Sequence, residues 1–502
     1  LWLGIAMTAC NTAPEAHVTE RGTQWHWENG TIVIHSPERP EGVQCAIGLT
    51  APAMDVVRVG FVGLGMRGPG AVERFTHIPG TQVVALCDYE KERAEACQKY
   101  LKEASLPPAE IYSGEKGYEE LCRRNDIDLV YVATDWLHHF PVAKCALENG
   151  KHVAIEVPSA MNLKECWALI DLCEKTRKHC MILENCCYDW FEMNTLNMAQ
   201  NGVFGEIIRA QGAYLHNLSE FWDYYWKNGD GDKLGWRLDY NMRHRGDIYA
   251  THGLGPVAQA LNIHRGDRMK TLVAMDTKSV IGRQLVEERT DSACPDFRNG
   301  DHTTTLIRTE LGKVIEIQHN VMTYQPYSRL YQLTGTHGFA NKYPVEGYAV
   351  ERSQLAATGA IPDLENLAEH DFLSDDEMTV LVEKYQHPIL KKYGEMAREV
   401  GGHGGMDFIM DARLVYCLQN GLPLDMDVYD LAEWCCLAEL GEISMDNGCA
   451  PVAVPDFTRG HWNKVDGYSH AFATPEAEAA AARRAAAVTD SLKAIGAKSW
   501  QR

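Results

Sequence analysis

The 502-residue chain contains no internal apolar run long enough to cross a bilayer, and no internal repeat. It also lacks CxxC pairs and the spaced Cys and His ligands that are typical of structural zinc sites. We therefore predict no bound metal. The 16 cysteines fall mostly within apolar helix or strand patterns, and we expect buried free thiols.

Positive charge is scarce, since 48 Lys and Arg residues stand against 69 Asp and Glu residues, for a net charge of −21. Nucleic acid and anionic membrane surfaces are polyanions, and such a chain would repel both of them. We therefore expect no nucleic-acid partner. The charges are interspersed along the sequence, which is typical of a solvated surface, and a neutral ligand would be little affected by them.

The first ten residues form a short apolar run that ends on Cys10, with Ala9 before it. This resembles the apolar region and cleavage site of a bacterial lipoprotein signal, without its usual Met and basic start. We expect an exported, membrane-anchored lipoprotein of the periplasm or cell surface, with Cys10 as the candidate lipid anchor and residues 11–22 as a tether. An extension that is merely apolar is the alternative.

An apolar run over residues 56–62 leads directly into Gly63-x-Gly65-x-x-Gly68, and a second run over 83–86 ends shortly before Asp88. Strand, glycine turn, helix, strand and acid in this order are typical of dinucleotide binding. The glycines permit a tight turn, backbone approach to the pyrophosphate and close helix packing. Asp88 would accept hydrogen bonds from ribose hydroxyls and repel a 2′-phosphate, so NAD is favoured over NADP.

From residue 55 to 185, short apolar runs alternate with helical patterns, which predicts a doubly wound parallel sheet in an α/β fold. Ligands of such sheets bind beyond the carboxyl ends of the strands. We expect strands at 56–63, 82–87, 128–134, 152–157 and 180–184.

The pattern changes after residue 185, and an α+β domain built on an open, mostly antiparallel sheet is predicted there. One face of that open sheet would be presented to the nucleotide. Strands are expected at 207–214, 271–277, 303–309 and 313–319, and helices at 407–420 and 427–440. Asn29-Gly30 predicts a hairpin over 23–35, and residues 475–499 predict a peripheral helix without a catalytic role.

These patterns divide the chain into five segments. They are a signal remnant and tether (1–22), an N-terminal arm with the hairpin (23–54), an NAD-binding Rossmann domain (55–185), an α+β substrate domain (186–470) and a C-terminal helix and tail (471–502).

Several polar residues are candidates for the wall of a substrate site. Tyr249 and His252 follow a polar, irregular stretch, and a histidine beside a glycine can approach a ligand and titrate near neutrality. His403 lies between two glycine pairs, which indicates either close approach to a ligand or a packing constraint. Tyr214 ends a predicted strand. His138-His139 point in different directions without a carboxylate cluster, so we expect no metal there.

The nucleotide half resembles the glucose–fructose oxidoreductase and inositol dehydrogenase superfamily, whose members join a Rossmann domain to an α+β domain. They usually carry Glu-Lys-Pro after the fourth strand, whereas this chain reads Glu156-Val157-Pro158. The missing lysine argues against a simple dehydrogenase. From residue 57 to 462 the chain resembles more closely glycoside hydrolase family 109, the NAD-dependent α-N-acetylgalactosaminidases. That resemblance is carried by segments 63–68, 184–188, 202–206, 249–256, 402–407 and 423–432.

The resemblance implies which residues contact the cofactor and the sugar. Together with the glycine motif, it predicts cofactor contacts at Gly63, Gly65, Met66, Arg67, Asp88, Asp135, Trp136, Leu137, His138, Glu156, Val157 and Asn185. It implies substrate contacts at Tyr214, Arg237, Tyr249, His252 and Tyr327. The expected partner is a small-molecule or glycan-terminal sugar, and we expect a homo-oligomer.

The resemblance also implies a redox-assisted glycosidase with tightly bound NAD, most simply one that releases N-acetylgalactosamine from glycoconjugates. Its steps are oxidation at C3 of the sugar, deprotonation at C2, loss of the aglycon, addition of water and re-reduction at C3. Tyr214, either ionised or hydrogen-bonded to a base, is the candidate base at C2, and His252 or His403 transfers the proton of the C3 hydroxyl. The alternatives are an NAD-dependent sugar dehydrogenase and a non-catalytic, exported sugar-binding protein.

Overall fold

The computed structural model describes residues 15–226, 235–290, 296–359 and 370–501. Cys10 and the proposed signal lie outside the described residues. None of the described helices combines the length and apolar character needed to cross a membrane. The cysteines in the described residues are all free, and most of them are buried.

The N-terminal segment is an antiparallel meander of three strands: β1 (Ala16–Val18), β2 (Gln24–Glu28) and β3 (Thr31–Ile34). The predicted hairpin joins β2 to β3 through Asn29 (φ 49°) and Gly30 (φ 80°), the left-handed pair that a tight hairpin turn requires.

The next part is a six-stranded parallel sheet in the order β6-β5-β4-β7-β8-β9. Its central strands are buried on both faces because helices cover both. The strands are β4 (Val57–Val62), β5 (Thr81–Asp88), β6 (Glu110–Ser113), β7 (Leu129–Val132), β8 (His152–Ile155) and β9 (Cys180–Ile182). The helices are α1 (Gly68–Thr76), α2 (Lys91–Glu103), α3 (Gly117–Cys122), α4 (Trp136–Glu148) and α5 (Leu163–Thr176). The doubly wound prediction is confirmed, although β6, a half-exposed edge strand, was not predicted.

The remaining strands belong to a second, mixed sheet of eleven strands in the order β1-β2-β3-β17-β11-β12-β13-β10-β14-β15-β16. Most pairs are antiparallel, as predicted, but β10 with β13 and β3 with β17 are parallel. The N-terminal arm therefore forms one edge of this sheet. Its later strands are β10 (Ile207–Leu215), β11 (Met269–Asp276), β12 (Thr303–Thr309), β13 (Val314–Asn320), β14 (Tyr331–Gly335), β15 (Gly338–Asn341), β16 (Gly347–Val350) and β17 (Val452–Ala453).

The later helices are interspersed among these strands or follow them. They are α6 (Trp190–Gln200), α7 (Trp222–Tyr225), α8 (Trp236–Arg243), α9 (Thr251–Ala260), α10 (Ile281–Arg289), α11 (Arg352–Thr358), α12 (Asp375–Tyr385), α13 (Pro388–Val400), α14 (Met406–Asn420), α15 (Val428–Cys435), α16 (Leu437–Asp446) and α17 (Pro475–Ser499). The predicted helix at 427–440 is thus two helices that meet at Cys436. The peripheral helix at 475–499 is confirmed, and it begins at the N-cap Thr474.

The two sheets are joined by helices of the C-terminal half. Helix α14 packs against β4 and α1, and α15 packs against β9 and α5, so both contact the parallel sheet. Helix α9 covers β10, β13 and β14 on one face of the mixed sheet. The opposite face carries polar ladders such as Arg209 and Gln211, which donate to Glu316. The face under α9 carries Tyr214, and the expectation that one face of this sheet meets the nucleotide stays a prediction.

Candidate functional site

The glycine turn after β4 contains two glycines that the fold requires, Gly63 and Gly68. Beside the third, Gly65, there is free space. Gly63 has φ 92°, and a Cβ there would lie 2.5 Å from the backbone of Ala133. A Cβ on Gly68 would lie 2.0 Å from the oxygen of Gly63, so α1 starts in direct contact with the turn. A Cβ on Gly65 would meet only Arg93 Nη1, at 3.5 Å. The space beside Gly65 is therefore open, as a pyrophosphate needs.

Asp88 lies at the carboxyl end of β5, beside this turn. Its Oδ2 accepts a hydrogen bond from the Leu64 amide at 2.6 Å, and its Oδ1 accepts from the Glu90 amide at 3.0 Å. The carboxylate is thus fixed at the position where an acid in such a turn contacts adenosine ribose. Met66, at the tip of the turn, is 39% exposed and lies at the open side.

The predicted contacts at the start of α4 differ in exposure. Asp135 caps the helix by accepting from the Leu137 amide at 3.0 Å, and it also pairs with His138 Nδ1 at 2.6 Å. Leu137 and His138 are exposed, whereas Trp136 is buried and stacks on Tyr249 with ring centroids 5.8 Å apart. Trp136 therefore packs directly against Tyr249, one of the predicted substrate residues.

Arg67, on the glycine turn, connects the two halves of the chain. Its Nε donates to Glu156 Oε1 at 3.1 Å, and its Nη2 donates to Asp407 Oδ2 at 3.1 Å. Asn185 Nδ2 donates to the other Asp407 oxygen at 2.6 Å, and His403 Nδ1 lies 2.9 Å from Asp407 Oδ2. Two predicted cofactor contacts, Arg67 and Asn185, and the candidate catalytic His403 thus meet at one carboxylate to which the sequence analysis assigned no role.

Asp407 is buried, and its charge is balanced by its neighbours. Burial alone would raise the pKa of this carboxyl, but the His403 hydrogen bond and the Arg67 and Arg74 cations hold it well below the usual value. Asp407 begins α14 directly after a loop in which residues 401–405 all have positive φ. The glycines on either side of His403 are thus needed for a left-handed backbone as well as for close packing.

The predicted substrate residues form a cluster around Tyr214, near the end of β10, and we call this cluster the pocket. The Tyr214 ring lies 5.0 Å from the Tyr249 ring and 5.1 Å from the His252 ring, measured between centroids. This approach depends on Gly212 and Gly253, because a Cβ on Gly212 would lie 2.1 Å from the Gly253 oxygen. Two facing glycines let the start of α9 lie directly on β10, which brings His252 to Tyr214.

The Tyr214 hydroxyl lies 3.3 Å from His216 Nδ1. Burial raises the pKa of Tyr214, and the Arg237 cation opposes this only in part. Burial lowers the pKa of His216, with help from the cationic Arg237. The phenol is therefore neutral near pH 7 and donates to a neutral imidazole, so of the two states expected for Tyr214 the hydrogen-bonded one is favoured over the ionised one.

His252 is held by Glu184, a residue that the sequence places at the end of a strand and to which we assigned no role. The His252 Nδ1 and Glu184 Oε1 atoms are 2.6 Å apart, and the Glu184 side chain is fully buried. Burial alone would raise the pKa of Glu184, but the neighbouring His252 lowers it below its usual value. A buried carboxylate on Nδ1 fixes the imidazole so that Nε2 is its free nitrogen.

Arg237 is 7% exposed and lies among aromatic rings, with its guanidinium carbon 4.7 Å from the Trp136 centroid and 5.3 Å from that of Tyr249. Its Nε has no hydrogen-bond partner among the described residues. A buried donor without a hydrogen-bond partner costs free energy. A polar ligand that accepts a hydrogen bond from it would remove that cost. Tyr327 is 43% exposed and reaches the pocket through His216, with centroids 4.8 Å apart.

The structure thus brings together all five predicted substrate residues, and it separates the two candidate histidines. His252 lies with Tyr214, whereas His403 lies with Arg67 and Asp407. Val157 is buried beside Glu156, whose Oε2 accepts from the Val157 amide at 3.4 Å. The cofactor and substrate assignments rest on this placement and remain predictions.

Comparisons with known proteins agree with this architecture. Residues 57–184 match the model of the oxidoreductase family with an NAD-binding Rossmann fold, and residues 188–464 match that of the glycosyl hydrolase 109 C-terminal domain. A solved levoglucosan dehydrogenase, in complex with NADH and levoglucosan, is 18% identical with a TM-score of 0.58, over 80% of this chain and all of that one. The class is therefore an NAD-binding, oxidoreductase-like protein, and its cofactor is NAD.

The particular family follows from closer relatives. Glycosyl hydrolase family 109 protein 4 of Phocaeicola vulgatus is 76% identical over 99% of this chain and 96% of its own length. The family 109 protein of Porphyromonas gingivalis is 57% identical over 94% of this chain and 98% of its own. The chain belongs to glycosyl hydrolase family 109, and it is an NAD-dependent glycoside hydrolase.

Proposed function

We propose that this enzyme releases α-linked N-acetylgalactosamine from glycoconjugates by elimination and addition. The observation that carries the proposal is the contact of Tyr214 with His252, next to Tyr249, which itself stacks on Trp136. When bound, NAD supplies reversible oxidation of the sugar at C3, which acidifies the proton on C2. The remaining steps are proton transfers and binding by side chains of the chain itself.

His252 acts at the C3 hydroxyl. Its Nδ1 is bonded to the buried Glu184 carboxylate, so Nε2 is the nitrogen that accepts the hydroxyl proton. The imidazolium that forms is stabilised by the adjacent Glu184 charge, as in other carboxylate–imidazole pairs. When the C3 hydroxyl is restored, the same proton returns from His252, so the pair ends each cycle in its starting state.

Tyr214 acts at C2 together with His216. As the phenol oxygen takes the C2 proton, its own proton passes to His216 Nδ1, 3.3 Å away. The aglycon then leaves C1 with the bonding electrons, and water adds to the unsaturated sugar at C1 while one of its protons goes to the aglycon oxygen. After its proton has exchanged with solvent, Tyr214 reprotonates C2, and His216 returns the proton that it had taken. Tyr249 and the free Nε–H of Arg237 bind sugar oxygens and orient the ring.

The arrangement of acidic side chains supports this route over direct hydrolysis. Direct hydrolysis needs two carboxyl groups that face the scissile bond from both sides. In the described residues, Glu184 is bonded to His252, while Glu156 and Asp407 are bonded to Arg67. Each of these carboxylates already positions another side chain, so they do not form the pair that direct hydrolysis needs.

The test is hydrolysis of an α-N-acetylgalactosaminide in D₂O, followed by NMR of the released sugar. Elimination predicts deuterium at C2, and retention of the original proton would rule it out. A thioglycoside of the same sugar should also be cleaved, because elimination does not require protonation of the leaving atom. Accumulation of free NADH during turnover would instead favour the sugar dehydrogenase.

We also propose export and lipid anchoring at Cys10, on the apolar run that precedes it. In the native host, Cys10→Ala should move the enzyme from the membrane fraction to the soluble fraction, and an unchanged distribution would contradict the proposal. A homo-oligomer remains our expectation, which light scattering on the purified protein tests.

A further inference from the structure

Aromatic rings continue from the pocket to the surface in two directions. On one side, His216 contacts Tyr327, and Tyr327 contacts Tyr343 with ring centroids 6.2 Å apart. The other side begins at the same His216, whose ring lies 6.1 Å from that of Phe221. Both series begin at the hydrogen-bond partner of Tyr214.

The second series follows α7. Phe221 lies 6.2 Å from Tyr225, and Tyr225 lies 4.8 Å from Tyr224, again between centroids. The turn is anchored by buried Trp222 and by Trp226, whose indole Nε1 donates to the Leu218 carbonyl at 2.9 Å. The anchoring tryptophans leave Phe221 and Tyr224 exposed, whereas Tyr225 is partly buried and lies against Arg237.

Both series reach side chains that are far more exposed than Tyr214, while Tyr225 and Tyr343 are partly buried. Tyr214 is 8% exposed, whereas Tyr327 is 43%, Phe221 48% and Tyr224 57% exposed. Large aromatic side chains that are exposed side by side at the mouth of a pocket usually mark a binding surface. We call the surface formed by Phe221, Tyr224, Tyr225, Tyr327 and Tyr343 the aromatic rim.

We propose that the aromatic rim binds the second sugar of the substrate, the residue that leaves with the glycosidic oxygen. This inference rests on the proposed function. Oxidation at C3 and deprotonation at C2 require one sugar to lie beside Tyr214 and His252. The group attached at C1 then extends beyond these two side chains, and the aromatic rim begins beside them, at the rings that contact His216.

The chemistry of the rim favours a sugar over a peptide aglycon. A pyranose presents an apolar C–H face to an aromatic ring and keeps its hydroxyls at the edge, where the tyrosine hydroxyls can bond them. A peptide laid on the same rings would leave backbone N–H and C=O groups against apolar surface without partners. The neutral side chains of the rim likewise match a neutral glycan.

The experiment compares three α-N-acetylgalactosaminides: the methyl glycoside, the disaccharide α-linked to galactose, and a short threonine glycopeptide. The variants are Tyr224→Ala and Tyr343→Ala, with Tyr343→Phe as the conservative partner. Leu311→Ala is the matched control, since Leu311 is 63% exposed but lies before β13, at the end of that strand opposite His319.

Each alanine variant should lower kcat/KM for the disaccharide by roughly 2- to 12-fold, the range of one aromatic contact. The methyl glycoside should change by less than about 2-fold, and Tyr343→Phe should keep most of the disaccharide activity because it keeps the ring. Leu311→Ala should behave as the wild type on all three substrates.

Equal losses on the methyl glycoside and the disaccharide would overturn the proposal, because the rings would then support the pocket itself. No loss on the disaccharide, or a loss confined to the glycopeptide, would overturn it too. If the wild-type enzyme cleaves none of the three, the proposed function fails and this inference fails with it. If the wild type cleaves the methyl glycoside and the variants keep full disaccharide activity, only the rim proposal fails.

Discussion

His252 and His403 are both bonded to a buried carboxylate, yet their surroundings differ in every other respect. The His252 side chain is 12% exposed, faces Tyr214 and pairs with Glu184 alone. The His403 side chain is 51% exposed and shares Asp407 with Arg67. The first pair fixes an imidazole beside a pocket, whereas the second joins the glycine turn to α14. The two histidine–carboxylate pairs thus have different roles, and substitutions can test this difference.

Replacement of His252 should have the largest effect. His252→Ala removes the group that transfers the C3 hydroxyl proton, and kcat should fall by about 10²- to 10⁴-fold. The Arg67–Asp407 connection is untouched, so the cofactor should remain bound. The measurements are steady-state rates and the NAD released on denaturation. Loss of NAD together with activity would mean that the two histidine sites are not separate.

Asp407→Asn should have the next largest effect, and on stability more than on chemistry. Leaving Arg67 and Arg74 without a full counter-charge should cost about 3 kcal/mol or more of unfolding free energy. Because the pKa of Asp407 is held below its usual value, this contribution is complete above the unfolded-state pKa of about 3.9 and is lost as the pH falls below it.

Unfolding of the wild type and of Asp407→Asn should therefore be followed from pH 8 down to pH 3. The difference between their free energies of unfolding should be constant above about pH 5 and shrink below about pH 4. A difference that widens as the pH falls would have the wrong sign for a stabilising carboxylate. Asp446→Asn is the matched control, because Asp446 pairs with Arg245 and Arg298 near the surface and should shift stability by about 1 kcal/mol at most.

Glu184→Gln tests whether the charge of Glu184 supports proton transfer by His252. The substitution keeps the shape but removes the charge that stabilises the imidazolium, and kcat should fall by roughly 10- to 100-fold. Glu184→Asp, which restores the charge, should recover part of the loss. The diagnostic measurement is how the loss divides between kcat and KM: a charge that stabilises the imidazolium formed during turnover should change kcat and leave KM near the wild-type value. A loss that appears only in KM or in stability would assign Glu184 a purely structural role.

The sequence predicted the glycine turn and Asp88 better than the long-range contacts that build the two histidine sites. Gly63–Gly68 and Asp88 follow from local spacing, because a turn between strand and helix is built from neighbouring residues. Glu184 and His252 are 68 positions apart, and Arg67 and Asp407 are 340 apart, so no local pattern reports either contact. The short strands β6, β14, β15 and β16 were missed because their partly exposed patterns give little signal. The approach of α9 to β10 depends on two glycines, Gly212 and Gly253, that contact each other only after folding.

His403→Ala should have the smallest effect and completes the comparison. His403 is half-exposed and adds one hydrogen bond to an Asp407 that Arg67 and Asn185 already hold. Its loss loosens the glycine turn, so the dissociation constant of NAD should rise by roughly 5- to 10-fold, the value of one such bond. Saturating NAD should then restore kcat to near the wild-type value, which it cannot do for His252→Ala. If added NAD leaves the His403 variant inactive, His403 belongs to the proton-transfer machinery, and the separation of the two sites is wrong.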